Sequence, residues 1–165
     1  MVLDNAVVTV TVDGEQKEKF SVNLPGIRSL KGFLKGEWNL AAFDSCFPGR
    51  NRVGDVDGSI ELNGHTLHIE FKDSKWSMNQ GQVLKAIRQA KYSGIATIFV
   101  FGKTNVPREY LLFTPDNLQP DFVECELEGL QTVLTDWARN TTTHCLIESK
   151  TDEWKLVDKY FGRAA

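Results

Sequence analysis

Three residues near the middle of the chain, Asp57, Glu70 and Lys72, have types and spacing that suit hydrolysis of a phosphate ester. The two carboxylates are thirteen residues apart, and the lysine follows the second by two positions. Mg²⁺ prefers one or two carboxylates together with waters and phosphate oxygens. A metal ion and an ammonium group beside the same water would lower the pKa of that water and stabilise negative charge on an attacked phosphate. These residue types therefore favour a hydrolytic site with a divalent cation, if the fold brings the side chains together.

The dipeptide Asn63-Gly64 is the feature that would bring them together. Asn-Gly is the strongest short signal for a two-residue β-hairpin turn, so we predict strands over residues 55–62 and 65–72. In this register, Leu62 faces His65. The polar face then carries the cross-strand pairs Ser59 with His68, Asp57 with Glu70, and Asp55 with Lys72. Directly opposed like charges are destabilising, so the pairing of two carboxylates needs an explanation.

Three explanations of the opposed carboxylates are open. The hairpin face could be solvated, with water and Lys72 screening the charges. One carboxyl could be protonated, as in acid–base dyads. A hard divalent cation could bind between Asp57 and Glu70, with Lys72 one pleat along on the same face. His68 is expected beside Glu70 on this face, which makes it a candidate supporting residue around the ligands.

The apolar pattern predicts a mixed α/β fold around this hairpin, with an α/β sandwich as the favoured arrangement. The other predicted elements are a hairpin with strands over 6–12 and 18–24, helices over 27–46 and 78–92, strands over 95–101 and 109–114, and helices over 127–139 and 152–161. Ser77 is the expected N-cap of the helix over 78–92. The predicted buried stripe of that helix is Val83, Leu84, Ile87 and Ala90.

The order Asp57, then Glu70-Phe71-Lys72, then a helix that carries Gln82 resembles the PD-(D/E)XK nuclease superfamily. The closest likeness is to small virus-type replication-repair nucleases and archaeal-type junction resolvases, and it covers residues 28–102. The resemblance implies a restriction-endonuclease-like, three-layer α/β/α sandwich with a central mixed β-sheet. It also implies a deoxyribonuclease that depends on Mg²⁺ or Mn²⁺, with an endonuclease favoured over an exonuclease.

Carried over position by position, the resemblance assigns roles within the hairpin. It makes Asp57 and Glu70 metal ligands, with the main-chain carbonyl of Phe71 as a further ligand. Lys72 would orient or activate the attacking water, and Gln82 would position that lysine or the phosphate. The chain offers two aspartates, so Asp55 could instead be the ligand and Asp57 its support, although Asp57 is favoured because it faces Glu70.

Glu37 would be the remaining acid of the family's motif, on the first predicted helix. It falls on the same helical stripe as Leu30 and Phe33, an unusual place for an unpaired carboxylate. A partly exposed residue on a helix weakened by glycines is the alternative interpretation. The chain also departs from the family's pattern because no proline precedes the acid.

Two basic segments flank the acidic hairpin. Residues 28–52 carry a net charge of +3 and residues 72–108 one of +6, whereas residues 53–71 carry −4. Basic walls around carboxylates would suit a polyanion such as DNA with a cation bound between them, although an ordinary solvated surface is the alternative. The candidate DNA-binding residues in the basic segments are Arg50, Arg52, Lys75, Lys85 and Arg88. Trp76 could stack on a base, but packing in the core is favoured.

The length of 165 residues and the hydrophobic content of 41% are those of one globular domain. We expect a single nuclease domain over 1–165, with an N-terminal β-hairpin over 1–26, a catalytic core over 27–102, and a C-terminal strand and helices over 103–165. No apolar run is long enough for a membrane span, and residues 1–4 begin no secretory signal. The three cysteines lack C-x-x-C spacing, so we expect buried free thiols in the cytoplasm.

DNA is the expected partner, and no membrane is expected. Because junction resolvases act as dimers, the resemblance adds a homodimer, and it also adds a replication or recombination protein as a partner. Small stand-alone nucleases of this kind are common in phages, which would place the protein in the host cytoplasm. The alternative function is a non-catalytic module on the same fold that binds nucleic acid or protein.

Overall fold

A computed structural model describes residues 3–24, 40–49 and 51–161, in two compact units that divide between Gly54 and Asp55. This boundary falls inside the segment predicted as the catalytic core. Two predicted site residues, Glu37 and Arg50, lie outside the described residues, as does most of the helix predicted over 27–46. The described end of that segment, Leu40–Cys46, forms a 3-10 helix.

The N-terminal unit contains a two-stranded antiparallel sheet of β1 (Leu3–Val12) and β2 (Glu15–Leu24). The connecting residues Asp13 and Gly14 have φ angles of 52° and 83°. Asp and Gly adopt this backbone at low cost, which is why Asp-Gly supports a two-residue turn. The predicted N-terminal hairpin is therefore confirmed.

The C-terminal unit is a mixed α/β structure around a five-stranded sheet with the order β3-β4-β5-β6-β7. Its strands are β3 (Gly58–Leu62), β4 (His65–Lys72), β5 (Ala96–Lys103), β6 (Val106–Phe113) and β7 (Val123–Glu124). Its described helices are α1 (Gln80–Ser93), α2 (Leu127–Thr143) and α3 (Lys150–Phe161), with a 3-10 turn at Lys75–Ser77. β4 and β5 are parallel, and the other neighbouring strands are antiparallel. The predicted mixed sheet is confirmed.

The two faces of this sheet pack against different helices. Ile98 and Val100 of β5 form one buried cluster with Leu130 of α2, whereas Phe99 and Phe101 form another with Ala86 of α1. Successive side chains of a strand point to opposite faces, so α2 covers one face of the sheet and α1 the other. β5 is buried from Ala96 to Phe101, as predicted from its continuous apolar run.

Helix α1 begins two residues later than predicted. Its N-cap is Asn79, whose side-chain oxygen accepts the N–H of Gly81 at 2.7 Å, so the expected cap at Ser77 is wrong. The Ser77 hydroxyl instead donates to the carbonyl oxygen of Ser74 at 2.6 Å and closes the 3-10 turn. The helix ends at Ser93, one residue beyond the predicted end, and is followed by Gly94, whose φ of 69° is easily adopted by glycine.

The buried stripe of α1 differs from the predicted one at two positions, because Ala86 takes the place expected for Leu84. Ala86 and Ala90 are buried and Val83 packs against the same cluster, but Leu84 is 45% exposed. Residues 83, 86 and 90 follow the spacing of one helix face, and position 84 is rotated about 100° from position 83. Leu84 therefore faces away from the sheet.

Two of the three cysteines are not buried. Cys46 and Cys145 are exposed, Cys125 is half-buried, and all three are free thiols. The exposed pair lies outside the sheet, at the end of the 3-10 helix and in the connection between α2 and α3. Separately, no helix in the described part of the chain has both the length and the apolar character needed to cross a bilayer.

Candidate active site

The Asn63-Gly64 turn sets the register of the β3–β4 hairpin as predicted. These two residues have φ angles of 56° and 87°, the conformation for which Asn-Gly is favoured in a tight hairpin. The observed pairs include Leu62 with His65, Ser59 with His68, and Gly58 with Ile69. Because β3 begins at Gly58, the expected strand pairs of Asp57 with Glu70 and of Asp55 with Lys72 do not form.

Asp57 ends the ladder with its side chain. One carboxylate oxygen, Oδ2, accepts the main-chain N–H of Phe71 at 2.7 Å, where a longer β3 would need a main-chain acceptor. This contact also avoids the directly opposed carboxylates that made the predicted pair unfavourable. Asp57 is thus held against the residue that follows Glu70. Asp55 is exposed and makes no hydrogen bond to a described residue, so it is Asp57 that contacts β4.

Glu70 is a buried carboxylate held through one oxygen. Its side chain is 8% exposed, and its Oε2 lies 3.4 Å from the Nζ of Lys72 and 3.1 Å from the Nε2 of Gln82. Burying a carboxylate is costly unless it is paired and hydrogen-bonded, and these two donors supply both. The other oxygen, Oε1, accepts no hydrogen bond from any residue that the structure describes. It therefore remains available to a further ligand.

Gln82 reaches Glu70 because of where α1 begins. It is the third residue after the N-cap Asn79, a position from which a glutamine side chain commonly turns back to the cap. Here the Gln82 amide donates to Glu70 instead, which ties the first turn of α1 to the end of β4. The structure thus brings Gln82 to the predicted site, in contact with the acid rather than with the lysine.

His68 lies on the same face of β4 as Glu70, one residue pair further from the strand end. Its neighbours in the ladder are Ser59 on β3 and Thr97 on β5. Its imidazole makes no hydrogen bond within the described part of the chain. The Thr97 hydroxyl is buried and also lacks a partner there. His68 is therefore beside the site without a hydrogen bond to its ligands.

The oxygen donors of the site fit a hard cation. In the described ranges, no group of three or more His, Cys, Asp or Glu side chains could hold a metal. The predicted ligands, however, are two carboxylates and the carbonyl of Phe71, and Mg²⁺ commonly completes such a set with waters and substrate phosphate. The available Oε1 of Glu70 suits this role, so the residues present are compatible with Mg²⁺ or Mn²⁺.

The candidate DNA-binding residues of the C-terminal unit lie on elements that carry the site. The Lys75 ammonium is 5.9 Å from the ring centre of Trp76 and 5.7 Å from that of Phe122, within cation–π range. Lys85 and Arg88 are exposed on α1, and Lys85 lies one turn after Gln82 on the same side of the helix. Arg52 belongs to the N-terminal unit, where its guanidinium pairs with Asp44 at 2.5 Å.

Trp76 is not a core residue, so the favoured expectation of packing is wrong. It is 86% exposed in the 3-10 turn Lys75–Ser77, which contributes no buried side chain. The indole is left at the surface, beside Lys75.

A cavity of about 760 Å³ lies beside Lys72, and the sequence did not predict it. It forms where β4 and β5 end, between the β5–β6 turn and the start of α2, and Phe71, Gly102, Lys103 and Leu127 are among its lining residues. Gly102 has a φ of 145°, and a Cβ there would lie 2.3 Å from the main-chain oxygen of Val106. A single glycine at the end of an apolar strand was the available signal for this close approach.

Comparison of the chain with family models, with curated proteins and with solved structures gives no match. The interpretation of the site therefore depends on its own geometry and chemistry.

Proposed function

We propose that this protein is a metal-dependent nuclease that hydrolyses phosphodiester bonds in DNA, and that its C-terminal unit has a restriction-endonuclease-like fold. The observation that carries the proposal is the arrangement at Glu70. A carboxylate with an 8% exposed side chain is bound by Lys72 and Gln82 through one oxygen, and its second oxygen is available. Mixed strands with a helix on each face are compatible with that fold.

The residues of the site would have different roles in metal binding, phosphate binding and positioning. Asp57, Glu70 and the Phe71 carbonyl would hold Mg²⁺ or Mn²⁺, which when bound neutralises charge on the phosphate and lowers the pKa of a water. Lys72, with a side chain 16% exposed, keeps a positive charge beside Glu70 and would donate a hydrogen bond to a phosphate oxygen. Gln82 would be a positioning residue, since its amide donates to the Glu70 carboxylate.

DNA is the proposed substrate because cations surround the acids. Lys75 follows Lys72 by three residues, and Lys85 and Arg88 extend along the exposed side of α1. Ammonium and guanidinium groups bind phosphates irrespective of sequence, with an affinity that falls steeply as salt rises. We expect these residues to position the backbone and Lys72 to meet the phosphate that is cut.

The test is cleavage of supercoiled plasmid and of a synthetic four-way junction, with Mg²⁺, Mn²⁺ or EDTA. The variants are Lys72→Met and, as a matched control, Lys91→Met. The control removes a lysine that lies about 13 Å along α1 from Gln82. We expect metal-dependent cutting that is lost in Lys72→Met and kept in Lys91→Met. Conversion of closed plasmid to nicked circles or linear DNA would identify an endonuclease, because a closed circle offers no end to an exonuclease.

Folding must be separated from chemistry in this experiment. Lys72→Met leaves Glu70 buried without its cation, which can cost about 3–5 kcal/mol. Lys72→Arg keeps the charge but changes its shape and reach, so it should fold like the wild type and still cut poorly. Thermal unfolding of each variant checks this. Cutting by the wild type in EDTA, or full activity of a folded Lys72→Arg, would contradict the proposal.

A second candidate function is a binding module without catalysis. One observation favours it: the Lys72 ammonium is already paired with the buried Glu70 carboxylate. Retained DNA binding with no cutting of any substrate in either metal would select this function.

A further inference from the structure

The cavity beside Lys72 lies on the opposite side of β4 from Glu70. Side chains alternate along a strand, so Glu70 and Lys72 point towards the α1 face, whereas Phe71 points towards the α2 face. The Phe71 ring is 57% exposed and lines the cavity. Lys72 also lines it at the end of β4, while its ammonium is paired with Glu70 on the α1 face.

The lining of the cavity combines an apolar floor with a few polar groups. Val100 and Leu130 close it from the sheet and from α2, while Lys103 ends β5 and Asn105 lies in the β5–β6 turn at its edge. A volume of about 760 Å³ is within the usual range for ligand pockets, which are mostly apolar with a few directed polar groups. The crevice at the carboxyl ends of parallel strands, here β4 and β5, is also a common place for a ligand.

We propose that this cavity binds one unpaired nucleobase of the DNA, next to the phosphate at Lys72. The Phe71 ring would stack on the base, the Lys103 ammonium would bind the neighbouring phosphate, and the Asn105 amide would meet the polar edge of the base. The placement of the cut phosphate rests on the proposed nuclease function, whereas binding of the base does not.

The lining favours a nucleotide over a neutral apolar ligand. The exposed phenyl ring of Phe71 and the cationic residue Lys103 both line the cavity, and a ligand that satisfies both has an aromatic face and a phosphate. Asp73 adds one carboxylate to the lining, which can accept a hydrogen bond from an exocyclic amino group. A base inside a duplex has both faces covered by its neighbours, so the cavity requires a base that is unpaired or flipped out.

The test is binding, measured by fluorescence anisotropy in EDTA so that no cutting is needed. The probes are a labelled oligothymidylate and a blunt duplex of the same length. Stacking on an aromatic side chain contributes about tenfold or more to affinity for single strands. We therefore expect Phe71→Ala to weaken oligothymidylate binding about tenfold, Phe71→Tyr to restore it, and duplex binding to change little.

Matched controls come from α1. Tyr92→Ala removes an aromatic side chain that is 74% exposed outside the cavity, and Lys91→Ala matches Lys103→Ala. We expect both controls to bind oligothymidylate like the wild type, and Lys103→Ala to bind it more weakly. The Phe71 ring is largely exposed, so its loss should not unfold the protein. If thermal unfolding shows otherwise, Lys103→Ala and an abasic oligonucleotide provide the same comparison.

The outcomes distinguish this inference from the nuclease proposal. Equal affinity of the wild type for single strand and duplex would overturn the base-binding cavity, as would unchanged binding by Phe71→Ala or an equal loss on both probes. Phe71-dependent binding without any cutting would leave the cavity standing and remove the nuclease. Metal-dependent cutting with no effect of Phe71→Ala on single-strand preference would support the nuclease and overturn the base-binding cavity.

Discussion

The two ends of the β3–β4 hairpin treat their polar groups in opposite ways. At the turn end, the imidazole Nε2 of His65 lies 2.8 Å from the main-chain oxygen of His144, and the N–H of Leu146 donates to the oxygen of Asn63 at 3.0 Å. The contact is close, since a Cβ on Gly64 would lie 2.8 Å from the Cβ of Leu146. This end uses its polar groups to dock against the chain that follows α2.

At the open end, groups are left for something outside the chain. Oε1 of Glu70 has no partner in the described part of the chain, and the Phe71 ring is 57% exposed. The structural contacts at this end are those of Asp57 with the N–H of Phe71 and of Lys72 and Gln82 with the other oxygen of Glu70. One hairpin therefore has a docking end and an open end, about seven residues apart along β4. The difference teaches that a mostly buried carboxylate with one oxygen left open directs attention to one strand end, which the net charge of the segment does not do.

The largest contrast is expected between Glu70→Gln and His65→Ala. Glu70→Gln keeps the shape of the side chain but removes the charge at the open end, so we expect cutting to fall about 100- to 1000-fold. His65→Ala removes one hydrogen bond at the turn end, which should lower the free energy of unfolding by about 0.5–1.5 kcal/mol and leave the cutting rate unchanged. Initial rates and urea unfolding measure the two effects. Equal loss of activity in both variants would contradict the different roles assigned to the two ends of the hairpin.

A second contrast separates the two aspartates. Asp57→Asn keeps an acceptor for the Phe71 N–H but loses a charged ligand, so cutting should fall at least about tenfold, as it does when weaker outer contacts of metal sites are removed. Asp55→Asn should cut like the wild type, because Asp55 is exposed and does not contact β4. Metal titrations at fixed DNA concentration check the assignment. A greater loss in Asp55→Asn would transfer the ligand role to that residue.

A third contrast tests the docking end alone. Gly64 and Gly94 both have positive φ, but only Gly64 has a neighbour within contact distance of an added Cβ. Gly94→Ala should cost about 1–2 kcal/mol from its left-handed backbone, and Gly64→Ala more than that because Leu146 must also move. Urea unfolding of the two variants gives the difference. Equal costs would mean that the turn does not dock as tightly as the contact indicates.

The smallest effect concerns Cys125, which lies just before the start of α2. Burial raises the pKa of this thiol. Because the thiolate is the reactive form, Cys125 should reach half-maximal alkylation at a higher pH in the folded protein than in the protein unfolded in urea. A raised pKa also means that the folded state holds this proton more tightly, so its contribution to stability is lost as pH rises through the folded value. Mass spectrometry of the alkylated Cys125 peptide across pH, with and without urea, measures the difference, and a lower midpoint in the folded protein would contradict it.

The parts of the site that were predictable depend on short stretches of sequence. The register of the hairpin follows from Asn63-Gly64, and the continuous apolar run at 96–101 identifies a buried strand. With the register known, Glu70 and Lys72 on one face follow from alternation alone. The resemblance placed Gln82 beside Lys72 or the phosphate, whereas in the structure its amide donates to Glu70.

The parts that were missed depend on distant neighbours or on competing local choices. The cavity needs β4, β5 and α2 together, and no local pattern shows which residues their ends bring into contact. Asp57 binds a main-chain N–H fourteen residues away instead of facing Glu70. At the start of α1, Ser77 and Asn79 were both suitable caps, and Ser77 was used by the turn before the helix. Such choices between similar local hydrogen bonds are decided by the packing of the whole unit.

Phe71 has a consequence for how this protein could change over time. Its main chain is fixed by Asp57, and its neighbours Glu70 and Lys72 face the other side of the sheet, so its side chain can be exchanged without moving theirs. Under the proposed function, Glu70 and Lys72 would carry out the hydrolysis, whereas Phe71 would contribute to the choice of substrate. Mutation at position 71 would then retune which DNA structures are selected while the hydrolytic machinery stays intact. At such a strand end, the hydrolytic chemistry and the choice of DNA structure would therefore evolve nearly independently within three consecutive residues.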